Sequence, residues 1–67
     1  MRRTYTVREI IRIIEADGWY EVHQVGSHKQ FKHPTKRGKV TVADHRGDLD
    51  PKTVRSIFQQ AQIDREV

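Results

Sequence analysis

Sixty-seven residues allow one domain with a thin core, and the absence of cysteine excludes disulfides and thiolate zinc sites while fitting a reducing compartment. Thirteen Lys and Arg against nine Asp and Glu leave a formal charge of +4, and the pI of about 9.9 lies in the range of nucleic-acid-binding domains. No stretch approaches the roughly 20 apolar residues of a membrane span, and Met1-Arg2-Arg3-Thr4-Tyr5 lacks the apolar run of a signal peptide, so a cytoplasmic protein is expected.

The first periodic segment opens on Thr6-Val7-Arg8-Glu9, a capping box in which Thr6 accepts from free backbone N–H groups and Glu9 reaches back to it. Ile10, Ile11 and Ile14 share a helical face, with Arg8, Arg12 and Glu15 largely outside it. Asp17-Gly18 is a stop signal, Gly18 supplying a left-handed conformation, and a helix is predicted over Val7 to Ala16. From Trp19 to Val25 the chain is aromatic and β-branched with polar residues interleaved, which predicts a strand. Gly26-Ser27 marks a turn, and His28 to His33 reads as the returning strand. The run His33-Pro34-Thr35-Lys36-Arg37-Gly38 closes a second hairpin. Lys39-Val40-Thr41-Val42-Ala43 then alternates with period two, placing Val40 and Val42 on one face.

Asp50 is a good helix N-cap and Pro51 suits the first helical position, where its missing N–H is not needed. Val54, Ile57, Phe58 and Ala61 follow at amphipathic spacing. The order is α-β-β-β-α. Each helix has one apolar stripe and the sheet needs one face covered, so the expected fold is an α+β two-layer sandwich. Both helices lie on one side of a three-stranded antiparallel sheet, and the other side is open to solvent.

Charge is unevenly spread. Between Lys29 and Lys39 there are five basic side chains (Lys29, Lys32, Lys36, Arg37 and Lys39) and no acidic one. Asp44, Asp48 and Asp50 follow, with Arg46 among them. The basic stretch is either a solvated hairpin or a surface for a polyanion.

Four histidines need weighing. His23, His28 and His33 are five residues apart, a spacing that puts successive members on opposite faces of a strand and argues against a metal-binding row. His23 and His33 read as exposed or half-exposed strand residues. His28 differs in opening a strand directly after a Gly-Ser turn. Parity groups it with Gln30 and Lys32 and sends Phe31 to the other, core-facing side. Imidazole titrates near neutral pH, and lysines stabilise charge building on a phosphorane, so this constellation suits RNA hydrolysis by acid–base chemistry with the ribose 2′-hydroxyl as nucleophile. His45, in Asp44-His45-Arg46-Gly47, is a second proton-transfer candidate or a residue that orders its loop. No P-loop, dinucleotide fingerprint or Ser/His/Asp set is evident.

Three features together resemble the HicA (YcfA-like) mRNA interferase toxins of toxin–antitoxin pairs. They are Asp17-Gly18-Trp19 at a helix end, the run Gly26-Ser27-His28-Lys29-Gln30-Phe31-Lys32-His33-Pro34, and Val40-Thr41-Val42-Ala43-Asp44-His45 leading to Leu49-Asp50-Pro51-Lys52-Thr53-Val54-Arg55-Ser56-Ile57. The resemblance spans about Val7 to Ile63. It implies a fold like that of double-stranded-RNA-binding domains, with His28 as the catalytic residue in the family's Gly-Ser-His position. It also implies a type II system in which a HicB-type antitoxin covers that histidine.

Two positions depart from the family's usual pattern: Ala43, where proline is common, and Gln62, where glycine is common. The expected activity is a metal-independent endoribonuclease that cuts mRNA and needs no cofactor. Lys29, Gln30, Lys32, Lys36, Arg37 and Lys39 are its candidate phosphate-binding residues, with His45 a possible accessory. The competing readings are a non-catalytic double-stranded-RNA-binding module and a protein-interaction domain using the open sheet face or a strand edge.

Overall fold

The capping box forms at the start of the first helix, α1 (Val7–Ala16), in the computed structural model, which describes residues 4–64. Glu9 donates its backbone N–H to the Thr6 hydroxyl at 3.2 Å, and the Thr6 N–H donates to the Glu9 carboxylate at 3.0 Å. Ile10 and Ile14 are fully buried, while Arg8, Arg12 and Glu15 stay exposed. At the other end, the Gly18 N–H donates to the Glu15 carbonyl (2.9 Å) and the Trp19 N–H to the Ile14 carbonyl (3.0 Å). This is a Schellman motif, and Gly18 takes the positive φ it requires, at 112°. Residues 1–3, read as lacking a signal peptide's apolar run, lie outside the described residues.

The Schellman turn sends Trp19 into the core rather than into a strand. Its indole N–H donates to the Ala61 carbonyl at 3.1 Å, so the predicted strand start moves from Trp19 to Tyr20. Three strands follow: β1 (Tyr20–Val25), β2 (His28–Lys32) and β3 (Val40–Ala43), antiparallel and in the order β1-β2-β3. The other strand ends also shorten by one residue. His33 leaves β2 because its ring is engaged by a neighbouring loop, and Lys39 precedes β3.

The second helix, α2 (Pro51–Ala61), is capped by Asp50, whose carboxylate accepts from the Lys52 N–H at 2.7 Å. The segments preceding the two helices are tied together by a bridge between Thr6 and Asp48 and by the Leu49 N–H donating to the Tyr5 carbonyl at 2.7 Å. Tyr5 then meets Phe58 edge-on, with ring centroids 5.9 Å apart. Both helices pack on β3 and on one another. Phe31, Val40 and Val42 join the apolar stripes of both helices in a single core, giving the expected two-layer α+β sandwich. All six residues of β1 are exposed, so the core reaches only as far as β2.

The exit from α2 repeats the Schellman pattern. The Gln62 N–H donates to Gln59 (3.1 Å) and the Ile63 N–H to Phe58 (3.0 Å), but the left-handed position is held by Gln62, with φ 56°. Among the described residues, no helix is long and apolar enough to cross a membrane.

Candidate nucleic-acid interface

The strand register assigns the open face. Val25, His28 and Ala43 lie side by side across the sheet, followed by the row His23, Gln30 and Thr41 and then by the pair Tyr20 and Lys32. His28 is exposed and has no side-chain hydrogen bond or ion pair among the described residues. Its backbone, in contrast, is held firmly. Gly26 (φ 58°) and Ser27 form a two-residue turn, with positive φ only at the first position as in type II′ hairpins. The Gln24 side-chain amide donates to the Gly26 carbonyl at 3.0 Å, and the Asp44 N–H donates to the Ser27 carbonyl at 2.6 Å. A rigid turn thus presents a free imidazole.

His23 is the exposed strand residue expected, but its face relative to His28 differs from the expectation. The five-residue spacing predicts opposite faces for His23 and His28, but that parity holds only within one strand. The turn folds β1 back on β2 with Val25 opposite His28 and His23 opposite Gln30, so both imidazoles belong to the open face. A β-bulge between Glu21 and His23 inserts Val22 without a partner, and this keeps Glu21 opposite the buried Phe31. Among the described residues, no group of three or more His, Asp or Glu side chains is gathered to hold a metal ion.

His33, expected as an exposed or half-exposed strand residue, is half-buried as a whole and lies just past the end of β2. Its side chain is only 8 % exposed and packs edge-on against Trp19, with centroids 5.1 Å apart. Its Nδ1 accepts from the Thr35 N–H at 3.1 Å and the Lys36 N–H at 3.0 Å, and its Nε2–H donates to the Asp17 carbonyl at 2.6 Å. These bonds specify the neutral Nε2–H tautomer. A Cβ on Gly18 would lie 2.7 Å from that Nε2, so glycine is required there for close approach as well as for its backbone conformation.

The basic stretch does not form one surface. Lys32 lies on the open face beside Tyr20. Lys29 lies on the helix side with Phe31 and sits 3.8 Å from both Glu21 and Asp44. Lys36 bonds the Asp17 carboxylate at 2.7 Å and the carbonyls of Ala61 (3.3 Å) and Gln62 (2.9 Å), joining the C-terminal ends of both helices. Its hydrogen bond, reinforced by its charge, holds the Asp17 carboxyl below the ordinary aspartate range against the opposing effect of desolvation. Arg37 and Lys39 are exposed, the Arg37 carbonyl accepting from the Gln62 side chain at 2.8 Å.

On the helix side, Lys29 meets Arg8 and Arg12 around an open pocket of about 340 Å³ that Glu15 and Asp44 also line. The sequence signal for this second cationic surface was the i, i+4 pair Arg8 and Arg12 outside the apolar stripe of α1. His45 faces the adjoining hollow, and its Nδ1–H donates to the Arg46 carbonyl at 2.9 Å, a contact that orders the loop.

The family model described as the HicA toxin of bacterial toxin–antitoxin pairs matches residues 7–63. Comparison with curated proteins gives no match. The matched span runs from the first residue of α1 past the exit from α2, and includes all four histidines and every strand. The chain therefore belongs to the HicA toxin family of bacterial toxin–antitoxin systems.

Proposed function

We propose that this chain is an mRNA interferase, an endoribonuclease in which His28 transfers a proton at the scissile phosphodiester, and that a HicB-type antitoxin silences it by covering His28. One observation carries the reading: an exposed imidazole without a side-chain partner, set by a rigid type II′-like turn on an open sheet face. The 2′-oxygen attacks phosphorus and the bond to the 5′-oxygen breaks, leaving a 2′,3′-cyclic phosphate and a 5′-hydroxyl. The chemistry requires a group that gives or takes a proton near neutral pH, and imidazole does so. Lys32 and Gln30 share the His28 face, and Arg37 and Lys39 are exposed, so these four are the side chains proposed to meet RNA. Lys36 is left out because its ammonium already serves both helix ends. Lys29 is left out because it lies across the sheet.

The test uses purified toxin and its His28→Ala variant, incubated with an in vitro transcribed mRNA in excess EDTA, with both new ends mapped. Wild type is expected to cut and to leave cyclic phosphate ends. The variant should lose at least about 100-fold in rate while its stability stays within about 0.5 kcal/mol. Binding without cutting by wild type would favour a non-catalytic RNA-binding module, and equal cutting by the variant would remove His28 from the chemistry.

A further inference from the structure

We propose that His23 is the second proton-transfer residue, so that His23 and His28 act as an acid–base pair across the β1–β2 hairpin. The inference rests on the ribonuclease reading above and adds to it the second group that the reaction needs. Cleavage through the 2′-hydroxyl moves two protons: one leaves the attacking 2′-oxygen and one arrives at the departing 5′-oxygen. A single imidazole in one protonation state can serve only one of these ends at a time.

The register supplies the second ring. His23 is directly opposite Gln30, two residues along β2 from His28, and all three lie on the open face. Such diagonal neighbours stand roughly 7–8 Å apart at the backbone, which leaves room for one phosphate between two rings that each reach an oxygen on it. Like His28, His23 is exposed and has no side-chain partner among the described residues. The neighbouring groups on that face are Tyr20 and Val25 from β1, Gln30 and Lys32 from β2, and Thr41 and Ala43 from β3; Lys32 is the charged one, and both helices lie behind the sheet. The other two histidines are otherwise engaged, His33 through both ring nitrogens and His45 through Nδ1.

In the reaction, the neutral ring takes the 2′-hydroxyl proton as the 2′-oxygen bonds to phosphorus. The charged ring gives its proton to the 5′-oxygen as the P–O5′ bond breaks. Exchange with water then restores both rings. The active form has one ring charged and one neutral, so kcat/KM must rise and fall about an optimum within the working range of imidazole acid–base chemistry.

The deciding measurement is the pH profile of kcat/KM on the same mRNA transcript in EDTA, for wild type, His23→Gln, His23→Arg and His28→Gln. Wild type should give a bell. His23→Gln should lower kcat/KM by about 100-fold or more and leave a profile with a single limb. His23→Arg should fail to restore the bell, because arginine keeps a positive charge but does not exchange a proton in this range. Both positions are exposed, so folding is not expected to change, and circular dichroism melts check this. A bell retained in His23→Gln, or a change confined to KM, would overturn the pair while leaving the His28 ribonuclease intact. Absence of cutting by wild type would instead overturn the ribonuclease reading and the pair with it.

Discussion

His28 and His33 flank the same strand, one at its first position and one just past its last, and the protein uses them in opposite ways. The His33 ring is enclosed: both nitrogens are bonded to backbone groups, and its edge packs on Trp19. The His28 ring is exposed, and only its backbone is held. A ring whose nitrogens are both committed cannot exchange protons with a substrate without opening the loop it organises. A free ring on a rigid backbone can. Residue type alone does not separate these two histidines; the neighbours of their nitrogens do.

The comparison can be broken most directly by exchanging each ring for a methyl group. His33→Ala strips the acceptor from the Thr35 and Lys36 N–H groups and removes an aromatic contact, so a loss of about 2 kcal/mol is expected. That corresponds to a fall of roughly 10 °C in Tm for a domain of this size. His28→Ala should leave Tm nearly unchanged while removing cleavage. Equal melting temperatures for the two variants would erase the distinction.

The His33 end can be sharpened by acid. Asp17 is held below its ordinary pKa, chiefly by its hydrogen bond with Lys36. Its stabilising contribution is therefore fully present above the unfolded value of about 3.9 and is lost as pH falls through the lower folded value. Asp17→Asn should melt earlier than wild type at neutral pH and approach it in strong acid. A constant difference in Tm from neutral pH down to about pH 2 would show that the ionised carboxylate contributes nothing.

The smallest effect concerns the exits from the helices, where Gly18 and Gln62 occupy equivalent left-handed positions. Gln62→Gly relieves a backbone cost of about 1 kcal/mol but gives up the hydrogen bond to the Arg37 carbonyl. A net gain of about 0.5 kcal/mol is expected, because an exposed hydrogen bond contributes less than the relieved strain. A lower Tm would mean that the Gln62 side chain is what holds the loop carrying Lys36 and Arg37.

Signals that act within a few residues were readable from the chain itself. The capping box at Thr6, the stop at Gly18, the Asp50-Pro51 start and the alternation around Val40 and Val42 all formed where the residues place them. Each is satisfied by neighbours within a turn or two of backbone, so element order, the two-layer fold and the exposed position of His28 followed from them. The resemblance at Gly26-Ser27-His28 reached the family that the match over residues 7–63 then established.

Only the tertiary structure decided which groups meet across long separations in the chain. Strand parity stops at a turn, so the shared face of His23 and His28 depended on the pairing of β1 with β2. The enclosure of His33 required the end of α1, and the commitment of Lys36 required the ends of both helices, 19 and 26 residues away. The basic stretch between Lys29 and Lys39 is contiguous in sequence, yet the pleat and these distant partners divide it among two faces and a structural junction. Local chemistry specified the elements; which cationic side chains stay free on the surface depended on which of them packing had already engaged.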